Sequence, residues 1–560
     1  MINKFLEIEV LLSPEVYEEL KKLSEERIEE LIEKIREFKF YNRDFILLDK
    51  KFFEIFLYES LEDIIKKYKN FDFIYYYTGV TLETEEKPIK EEETKVEEKE
   101  EIKEETKEET IEEVKEEIKE EHIKELERVE KIRESFKGKI EFIAKDIETR
   151  ISIYEDTDVS NKSTCEGKID DFIRYFRDRF ERLKKFIERR AGRKALPISK
   201  LENYKGEEVF TVGMVYDVRD RGDKVIVEIE DEEERVLAVI DKELYKKSGE
   251  ILLDEVIGFI GKFNRYLYVK DIIRPSINKP YINKTKEELY MAFLSDIHVG
   301  SNEFLYKDFE KFIEFLNGNV KNSLEEKIVS RLKYICIAGD LVDGIGVYPG
   351  QEEDLYEIDI MKQYEEVAKY IEQIPEHIAI VISPGNHDAV RPAEPQPRLP
   401  KEIIKLFNRE NIYFVGNPCT LNIHGLDTLL YHGRSFDDLV SQIPTASYEN
   451  PFTIMKEVIK RRHLSPVYGG RCPITPEEKD YLVIERDIDI LHTGHIHING
   501  YGIYRNVALI NSGTFQEQTD FQKRMGIKPT PSIVPILRLD RLGESNHYIE
   551  WDRGIVEVKI

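Results

Sequence analysis

Five short segments in the second half of this 560-residue chain place Asp, His and Asn directly after apolar runs. In chain order they are DIHVG from Asp296, GDLVDG from Gly339, GNHD from Gly385, YHGR from Tyr431 and GHIH from Gly494. Imidazole, carboxylate and amide groups bind divalent transition metals, and histidine is the usual acid or base near neutral pH. A single such residue after a strand is commonly a turn residue. Five in one domain predict a metal site with a further histidine free for catalysis.

The apolar runs that carry these segments alternate with helical patterns, as YMAFL, YICIA and HIAIVIS do with the amphipathic stretches between them. Strands and helices in such alternation predict an α/β sheet with helical crossovers. Ligands of these sheets gather at the carboxyl ends of the strands. We therefore expect residues 285–560 to form one α/β domain with its site at one edge of the sheet.

Residues 204–275 change to an alternation of apolar and polar side chains, interrupted by turns at Asp220–Asp223 and Lys246–Gly249. This pattern predicts a small closed β-barrel that resembles an OB fold, whose open face often holds single-stranded nucleic acid. A barrel that serves only as a protein-docking platform fits the same pattern.

An amphipathic helix is predicted ahead of the barrel, and its aromatic stripe is interpreted as a core contact. The helix ends in a basic patch formed by Arg189, Arg190, Arg193 and Lys194. This patch is either an ordinary solvated helix end or a contact for nucleic-acid phosphates.

Nearly half of the net charge of −28 lies in one stretch, because residues 83–130 hold 23 Glu against 10 Lys and Arg. Such a segment cannot bury a core, so residues 79–135 are interpreted as an acidic linker. An acidic tail that mimics DNA or recruits a basic partner is the alternative. Residues 1–78 then form a helical interaction module, and residues 136–280 hold the basic helix and the barrel.

The four cysteines form no CxxC pair, which argues against a disulfide framework or a cysteine zinc site. We find no signal peptide and no apolar run of membrane-spanning length. The expectation is a soluble, cytoplasmic protein with no membrane partner.

The order DxH, GDxxD, GNHD, H and GHxH resembles the calcineurin-like metallophosphoesterase superfamily from Met291 to Ser512. The resemblance implies two divalent cations, one held by Asp296, His298, Asp340 and His497 and the other by Asp340, Asn386, His432 and His495. It also implies that His387 is an unliganded acid at the phosphate, oriented through a hydrogen bond by Asp343. The mixed ligands favour manganese, with iron, zinc or magnesium as the other options.

A closer resemblance is carried by DDFIRYFRDRFERL, GNHDAVRPAEPQP and YHGRSFDDLV, with a barrel directly ahead of the phosphoesterase pattern. These features look like the small subunits of archaeal family-D DNA polymerases, from about Ile140 to the C-terminus. The resemblance implies a 3′ to 5′ proofreading exonuclease in a heterodimer with a separate, polymerising large subunit, and DNA as a partner. In the proline-rich loop, Arg391 and Arg398 either contact the DNA backbone or belong to a segment that merely connects.

Two other functions fit parts of the pattern. A small-molecule phosphatase or phosphodiesterase needs only the five motifs, whereas the barrel and the basic helix favour a polymer substrate. A non-catalytic assembly subunit predicts broken metal ligands, and every ligand position of the motifs is intact here.

Overall fold

The computed structural model describes residues 140–542, 546–550 and 554–558, together with isolated positions between residues 11 and 48. The chain divides into two units, Met1–Glu98 and Lys99–Ile560. In the first unit, strand β1 (Leu11–Leu12) pairs in parallel with β2 (Leu47–Leu48). Apart from these strands and single buried positions such as Leu20 and Leu31, the predicted module at 1–78 and the whole predicted linker at 79–135 lie outside the described residues.

The second unit contains the remaining strands and the helices. Its strands are β3 (Ile151–Ile153), β4 (Glu208–Asp220), β5 (Lys224–Glu230), β6 (Arg235–Asp241), β7 (Val256–Phe263), β8 (Leu267–Ile273), β9 (Tyr290–Leu294), β10 (Leu332–Ala338), β11 (Ala379–Ser383), β12 (Ile412–Phe414), β13 (Cys419–Ile423), β14 (Leu426–Leu430), β15 (Ile490–Thr493), β16 (Gly500–Tyr504), β17 (Val507–Asn511), β18 (Ile533–Arg538), β19 (Asn546–Glu550) and β20 (Gly554–Val558). Its helices are α1 (Ile169–Ala191), α2 (Lys242–Ser248), α3 (Tyr306–Leu316), α4 (Ser323–Arg331), α5 (Ile360–Glu372), α6 (Lys401–Ile404), α7 (Phe436–Gln442), α8 (Pro451–Arg461) and α9 (Asp520–Met525).

Two sheets form the centre of the C-terminal domain. The first has the order β12-β11-β10-β9-β18-β19-β20, and β9 to β12 run parallel. The second has the order β16-β17-β15-β14-β13-β3, in which β14, β15 and β17 are parallel. The all-apolar stretch YICIA in β10 is buried on both faces, as expected for a central parallel strand.

The two sheets pack face to face, with helices on both outer faces. Side chains such as Phe293, Cys336 and Leu421 fill the space between the sheets. Helices α3, α4 and α5 cover the first sheet, and α7 and α8 cover the second. The predicted mixed α/β architecture is confirmed, and it takes the form of a four-layer sandwich.

The predicted barrel is also confirmed, because β4, β5, β6, β8 and β7 close on themselves. The finer assignment of this barrel to the OB fold stays a prediction. One detail of the prediction was wrong, since Lys246–Gly249 is no simple turn but the end of helix α2. Asp241 before this helix and Gly249 after it are ordinary start and stop signals that the sequence did contain.

The segment ahead of the basic helix belongs to the C-terminal domain and not to the barrel domain predicted at 136–280. Strand β3 pairs with β13 at the edge of the second sheet, and Ala144 is buried between the sheets. A three-residue strand whose partner lies about 270 residues away leaves no local signal in the sequence. No helix among residues 140–542 is both long and apolar enough to cross a membrane.

Helix α1 docks on the C-terminal domain through a fully buried arginine. The Nε of Arg179 donates to the Oδ2 of Asp480 over 2.7 Å, and its other nitrogens donate to the carbonyl oxygen of Pro466 and the hydroxyl of Tyr175. Asp480 is also buried and lies 2.9 Å from the Nε2 of His463. Burial works against the ionised Asp480, but His463 and Arg179 together hold the pKa of its carboxyl well below the ordinary value.

We expect Arg179→Met to lower the free energy of unfolding by about 3–5 kcal/mol, because it leaves the Asp480 carboxylate buried without its cation. Arg177→Met is the matched control on the same helix, since Arg177 pairs with Glu232 where both side chains are about half exposed. That change should cost no more than about 1 kcal/mol. Denaturant unfolding of both variants measures the difference, and equal small losses would contradict the role of the buried pair.

Candidate metal centre

The predicted site residues all follow strands whose carboxyl ends meet at one edge of the sandwich. Asp296 and His298 follow β9, Asp340 and Asp343 follow β10, and Asn386 and His387 follow β11. His432 follows β14, and His495 and His497 follow β15. Because β9 to β11 belong to one sheet and β14 and β15 to the other, the site straddles both sheets.

One group of predicted ligands surrounds His298. Its Nε2 lies 3.1 Å from the Nε2 of His497 and 3.9 Å from the Oδ2 of Asp340. The Nε2 of His497 lies 3.5 Å from the Oδ1 of Asp296. All four side chains are buried, and ligand atoms of Asp296, His298 and His497 lie within 4.8 Å of one another.

The second predicted group surrounds His432. Its Nε2 lies 3.2 Å from the Oδ2 of Asp340 and 3.0 Å from the Oδ1 of Asn386. The rings of His432 and His495 have their centroids 5.2 Å apart. Asp340 therefore touches both groups, which is the position of a bridging ligand. Asp296 also approaches Asp340 and His432 closely enough to share a cation with them.

The charge of these residues fits bound cations. Within residues 140–542, no Lys or Arg forms an ion pair with Asp296, Asp340 or Asp343, and their recorded ion-pair partners are histidines. Burial opposes ionisation of Asp340, but His432, His387 and His298 hold the pKa of its carboxyl well below the ordinary value. Buried carboxylates with imidazoles as their only neighbours of opposite charge are a donor set for divalent metals.

The backbone at the ligands is also strained in the manner of a functional site. Five of the predicted ligands have left-handed φ angles between 52° and 72°, namely Asp296, His298, Asp340, His495 and His497. For residues other than glycine this region costs about 1–3 kcal/mol each, and it persists where the surrounding structure imposes it. The strained positions include the alternate residues of DIH and HIH, which belong to the two ligand groups.

Three ligand histidines have their second ring nitrogen anchored. The Nδ1 of His298 lies 2.8 Å from Asp343, the Nδ1 of His432 lies 2.8 Å from the carbonyl oxygen of Ala338, and the Nδ1 of His497 lies 2.9 Å from Gln522. The Asp343 carboxylate and the Ala338 carbonyl accept from the Nδ1 atoms of His298 and His432, which fixes these rings and leaves their Nε2 lone pairs for a metal. The Gln522 amide nitrogen can only donate, so the Nδ1 of His497 accepts, and the argument supports Nε2 ligation by His298 and His432 alone.

The predicted pairing of Asp343 with His387 needs correction. The Asp343 carboxylate lies 2.8 Å from the Nδ1 of His298, so its side chain orients a predicted metal ligand. His387 reaches only the backbone, because its Nδ1 lies 2.8 Å from the carbonyl oxygen of Asp343. The sequence placed Asp343 in the right loop, but the direction of its side chain is set by the packing of that loop.

His387 itself lies at the edge of the predicted metal site. Its backbone N–H donates to the Oδ1 of Asp340 over 2.8 Å, and its ring is half-buried against the ring of His298. A carbonyl oxygen only accepts hydrogen bonds, so the Nδ1 of His387 carries a proton. The free Nε2 is then the atom that can exchange a proton with a substrate.

The structure adds two acidic residues that the prediction left without a role. Asp388 is buried, accepts hydrogen bonds from the backbone N–H of Gly385 and the hydroxyl of Tyr364, and holds the GNHD loop closed. Burial and the neighbouring Asp340 raise the pKa of the Asp388 carboxyl to about 6. Asp437 lies 3.2 Å from the Nε2 of His495. The sequence signal for Asp437 was its place in the SFDD segment just after His432.

Two of the predicted DNA contacts, Arg391 and Arg398, lie in the proline-rich loop after GNHD. Arg391 is committed to the protein, because its guanidinium binds Glu477 at 2.7 Å, the hydroxyl of Ser163 and the carbonyl oxygen of Pro395. It therefore braces its loop, and its contact with a DNA backbone stays a prediction. Arg398 is half-buried and has no recorded ion pair within residues 140–542.

The basic patch of α1 lies beside the turn between β16 and β17. Arg190 and Arg505 donate to the adjacent carbonyl oxygens of Ser276 and Ile277, each over 3.4 Å. Lys194 is already paired with a carboxylate, that of Glu188. His495 and His497 precede the other end of β16, a strand of five residues that spans roughly 16 Å.

Comparison with known proteins agrees with this geometry. A family model for the calcineurin-like phosphoesterases matches residues 289–499. The fold and the ligand set thus define a metallophosphoesterase domain.

Relatives over the whole chain are more specific. The chain is 64% identical to the DNA polymerase II small subunit of Methanocaldococcus jannaschii over the full length of both proteins. It is 46% identical to that of Archaeoglobus fulgidus, over 68% of this chain and 78% of the relative. It is 43% identical to the small subunit of Methanothermobacter thermautotrophicus, over 68% of this chain and 80% of the relative. The chain belongs to the DNA polymerase II small subunit family.

Changing Asp340 to Asn should weaken both predicted metal positions, because it removes the carboxylate that is predicted to bridge them. His298→Ala should weaken only one position. Metal content after equilibration with Mn²⁺ and gel filtration measures this, and we expect two ions in the parent protein, one in His298→Ala and fewer in Asp340→Asn. Two ions retained in Asp340→Asn would contradict the bridging assignment.

Proposed function

We propose that this chain is the small subunit of a heterodimeric replicative DNA polymerase, in which it acts as a 3′ to 5′ proofreading exonuclease. The observation that carries the proposal is that Asp296, His298, Asp340, His432 and His497 form overlapping groups close enough to hold metal ions, with His387 beside them. A scaffold that had lost its activity would not need these strained and buried residues. The relatives named as small subunits support a larger, polymerising subunit as the partner.

The residues suit two divalent cations. Asp296, His298, Asp340 and His497 would hold one, and Asp340, Asn386, His432 and His495 would hold the other. When bound, such a pair neutralises a phosphodiester and supplies an activated water for its hydrolysis. Manganese suits the mixture of imidazole, carboxylate and amide donors best, with iron, zinc or magnesium as the other options.

His387 supplies the proton for the departing oxygen. With its Nδ1–H held by the carbonyl of Asp343, the imidazole presents Nε2 at the open side of the ligand cluster. In the imidazolium form Nε2 carries a proton that can pass to the leaving 3′ oxygen of the shortened strand. The hydrogen bond from the His387 backbone N–H to Asp340 keeps this ring in place relative to the bridging carboxylate.

The choice of DNA as substrate rests on surfaces outside the ligand cluster. The metal groups recognise only a phosphodiester, so a small-molecule phosphodiesterase is the competing function. Arg189, Arg190 and Arg193 are exposed and form no recorded ion pair with a carboxylate within residues 140–542, although the protein carries an excess of 28 negative charges. A single strand of several nucleotides is long enough to reach from this patch to the metal ligands.

The decisive assay incubates the protein and Mn²⁺ with a labelled mismatched primer-template, and in parallel with a generic phosphomonoester. We expect stepwise shortening of the primer from its 3′ end. His387→Ala should slow this by about 10²- to 10⁴-fold while metal content stays that of the parent, because an acid is lost and no ligand is. Loss of metal from this variant would show that His387 is a ligand. Hydrolysis of the phosphomonoester alone would favour the small-molecule function.

Changing Arg189, Arg190 and Arg193 to Gln should weaken binding of a single strand and make its salt dependence shallower. Each lost phosphate contact lowers the slope of log affinity against log salt by about 0.7, so the triple variant should lose up to about 2. Hydrolysis of a small phosphodiester should not change.

The control for this experiment changes Arg177, Arg219 and Arg235 to Gln. Each of these exposed arginines is already paired with a carboxylate. Removing them should alter the slope less, because their charge is already neutralised within the protein. Equal slopes of log affinity against log salt in the two triple variants would show that the α1 patch is an ordinary solvated surface and not a DNA contact.

A further inference from the structure

Asp343 accepts hydrogen bonds from two buried glutamines that come from different parts of the chain. Gln351 donates from Nε2 to the Oδ2 of Asp343 over 2.8 Å and to its carbonyl oxygen over 2.9 Å. Gln516 donates from Nε2 to the Oδ1 of Asp343 over 3.0 Å and to the hydroxyl of Ser301 over 2.8 Å. Both glutamine side chains are almost fully buried.

The orientation of the Gln351 amide is fixed by the backbone. Its Oε1 lies 2.9 Å from the backbone nitrogen of Val347, and a backbone N–H can only donate. The Nε2 of Gln351 must therefore point toward Asp343 as a donor. The Asp343 carboxylate meets a donor at each oxygen, which is the environment of an ionised acceptor.

These contacts determine which nitrogen of His298 carries the proton. Asp343 accepts at Oδ1, so the Nδ1 of His298, 2.8 Å away, must be the protonated nitrogen. The Nε2 of His298 then carries a lone pair, and it faces Asp296, Asp340 and His497. The carbonyl oxygen of Asp343 also accepts a hydrogen bond from the Nδ1 of His387. Asp343 therefore orients both His387, the predicted acid, and His298, a predicted metal ligand.

We propose that Gln351 and Gln516 are positioning residues that lock the Asp343 carboxylate onto the Nδ1–H of His298 and so prepare the Nε2 of His298 for a metal. The inference rests on the metal centre of the proposed function, and extends it to two residues outside the ligand motifs. Without the glutamine donors, the Asp343 carboxylate would be buried with part of its hydrogen bonding lost and would rotate away from His298.

The test compares Gln351→Met and Gln516→Met with the parent chain in calorimetric titrations with Mn²⁺. Methionine keeps the volume and removes the donor. We expect the affinity of one of the two Mn²⁺ positions to fall by about 10- to 100-fold, the range for lost partners of ligand residues. The position formed by His432 and Asn386 should keep its affinity, because neither glutamine touches it.

Gln363→Met is the matched control. Gln363 is fully buried and braces the same loop by hydrogen bonds to both backbone groups of Gly344, next to Asp343. It has no recorded contact with the Asp343 carboxylate. Its substitution should lower the melting temperature as much as Gln351→Met does, while both Mn²⁺ affinities stay those of the parent chain.

The outcomes separate this inference from the proposed function. Parent-like Mn²⁺ binding in both Gln351→Met and Gln516→Met overturns the inference, as does an equal loss in Gln363→Met, which would show that only loop order matters. If one of the first two variants fails to fold, the other still decides the matter, since each donates to a different oxygen of Asp343. Two Mn²⁺ ions bound without primer shortening would overturn the exonuclease and leave this inference standing. A parent chain that binds no Mn²⁺ overturns both.

Discussion

The structure depends on one electrostatic constraint, which is the burial of several carboxylates where two sheets meet. Asp296, Asp340 and Asp343 are almost fully removed from water, and their recorded ion-pair partners in the described part of the chain are histidines. Burying ionised carboxylates is costly unless charge or hydrogen bonds compensate. Divalent cations would provide that compensation, so bound metals would stabilise this site as well as supply its chemistry.

The loops that carry the ligands have room for them only because of two glycines. A Cβ on Gly385 would lie 2.2 Å from the Oδ1 of Asp340, and one on Gly339 would lie 2.5 Å from the Nδ1 of His432. Gly339 also has a φ of 90°, which other residues rarely adopt. The glycines of GDLVDG and GNHD are thus required by the close approach of neighbouring strand ends.

The barrel is attached to the phosphoesterase domain by buried charges. Glu255 of the barrel binds Arg461 of α8 at 3.1 Å and also pairs with Arg274, and Lys279 after the barrel pairs with the buried Asp489. Charges buried together require a defined geometry, because a small displacement leaves them unpaired. The position of the barrel and of the α1 patch relative to the metal ligands is therefore set by the fold, which suits a surface that guides a strand toward the site.

The sequence by itself determined which residues can bind metals and in which order they occur. Apolar runs define the strands, the alternating pattern defines the barrel, and DxH, GNHD and GHxH are each local in the chain. The sequence could not determine which of two neighbours a side chain faces. The Asp343 side chain contacts His298, and only its backbone carbonyl contacts His387. The Arg391 side chain pairs with Glu477, and Arg179 is buried in a pair with Asp480. Gln351 and Gln516 belong to none of the metal-binding motifs, so the sequence contained no signal for them. These choices depend on donors, acceptors and charges that approach from segments distant along the chain, and only the tertiary structure brings those segments together.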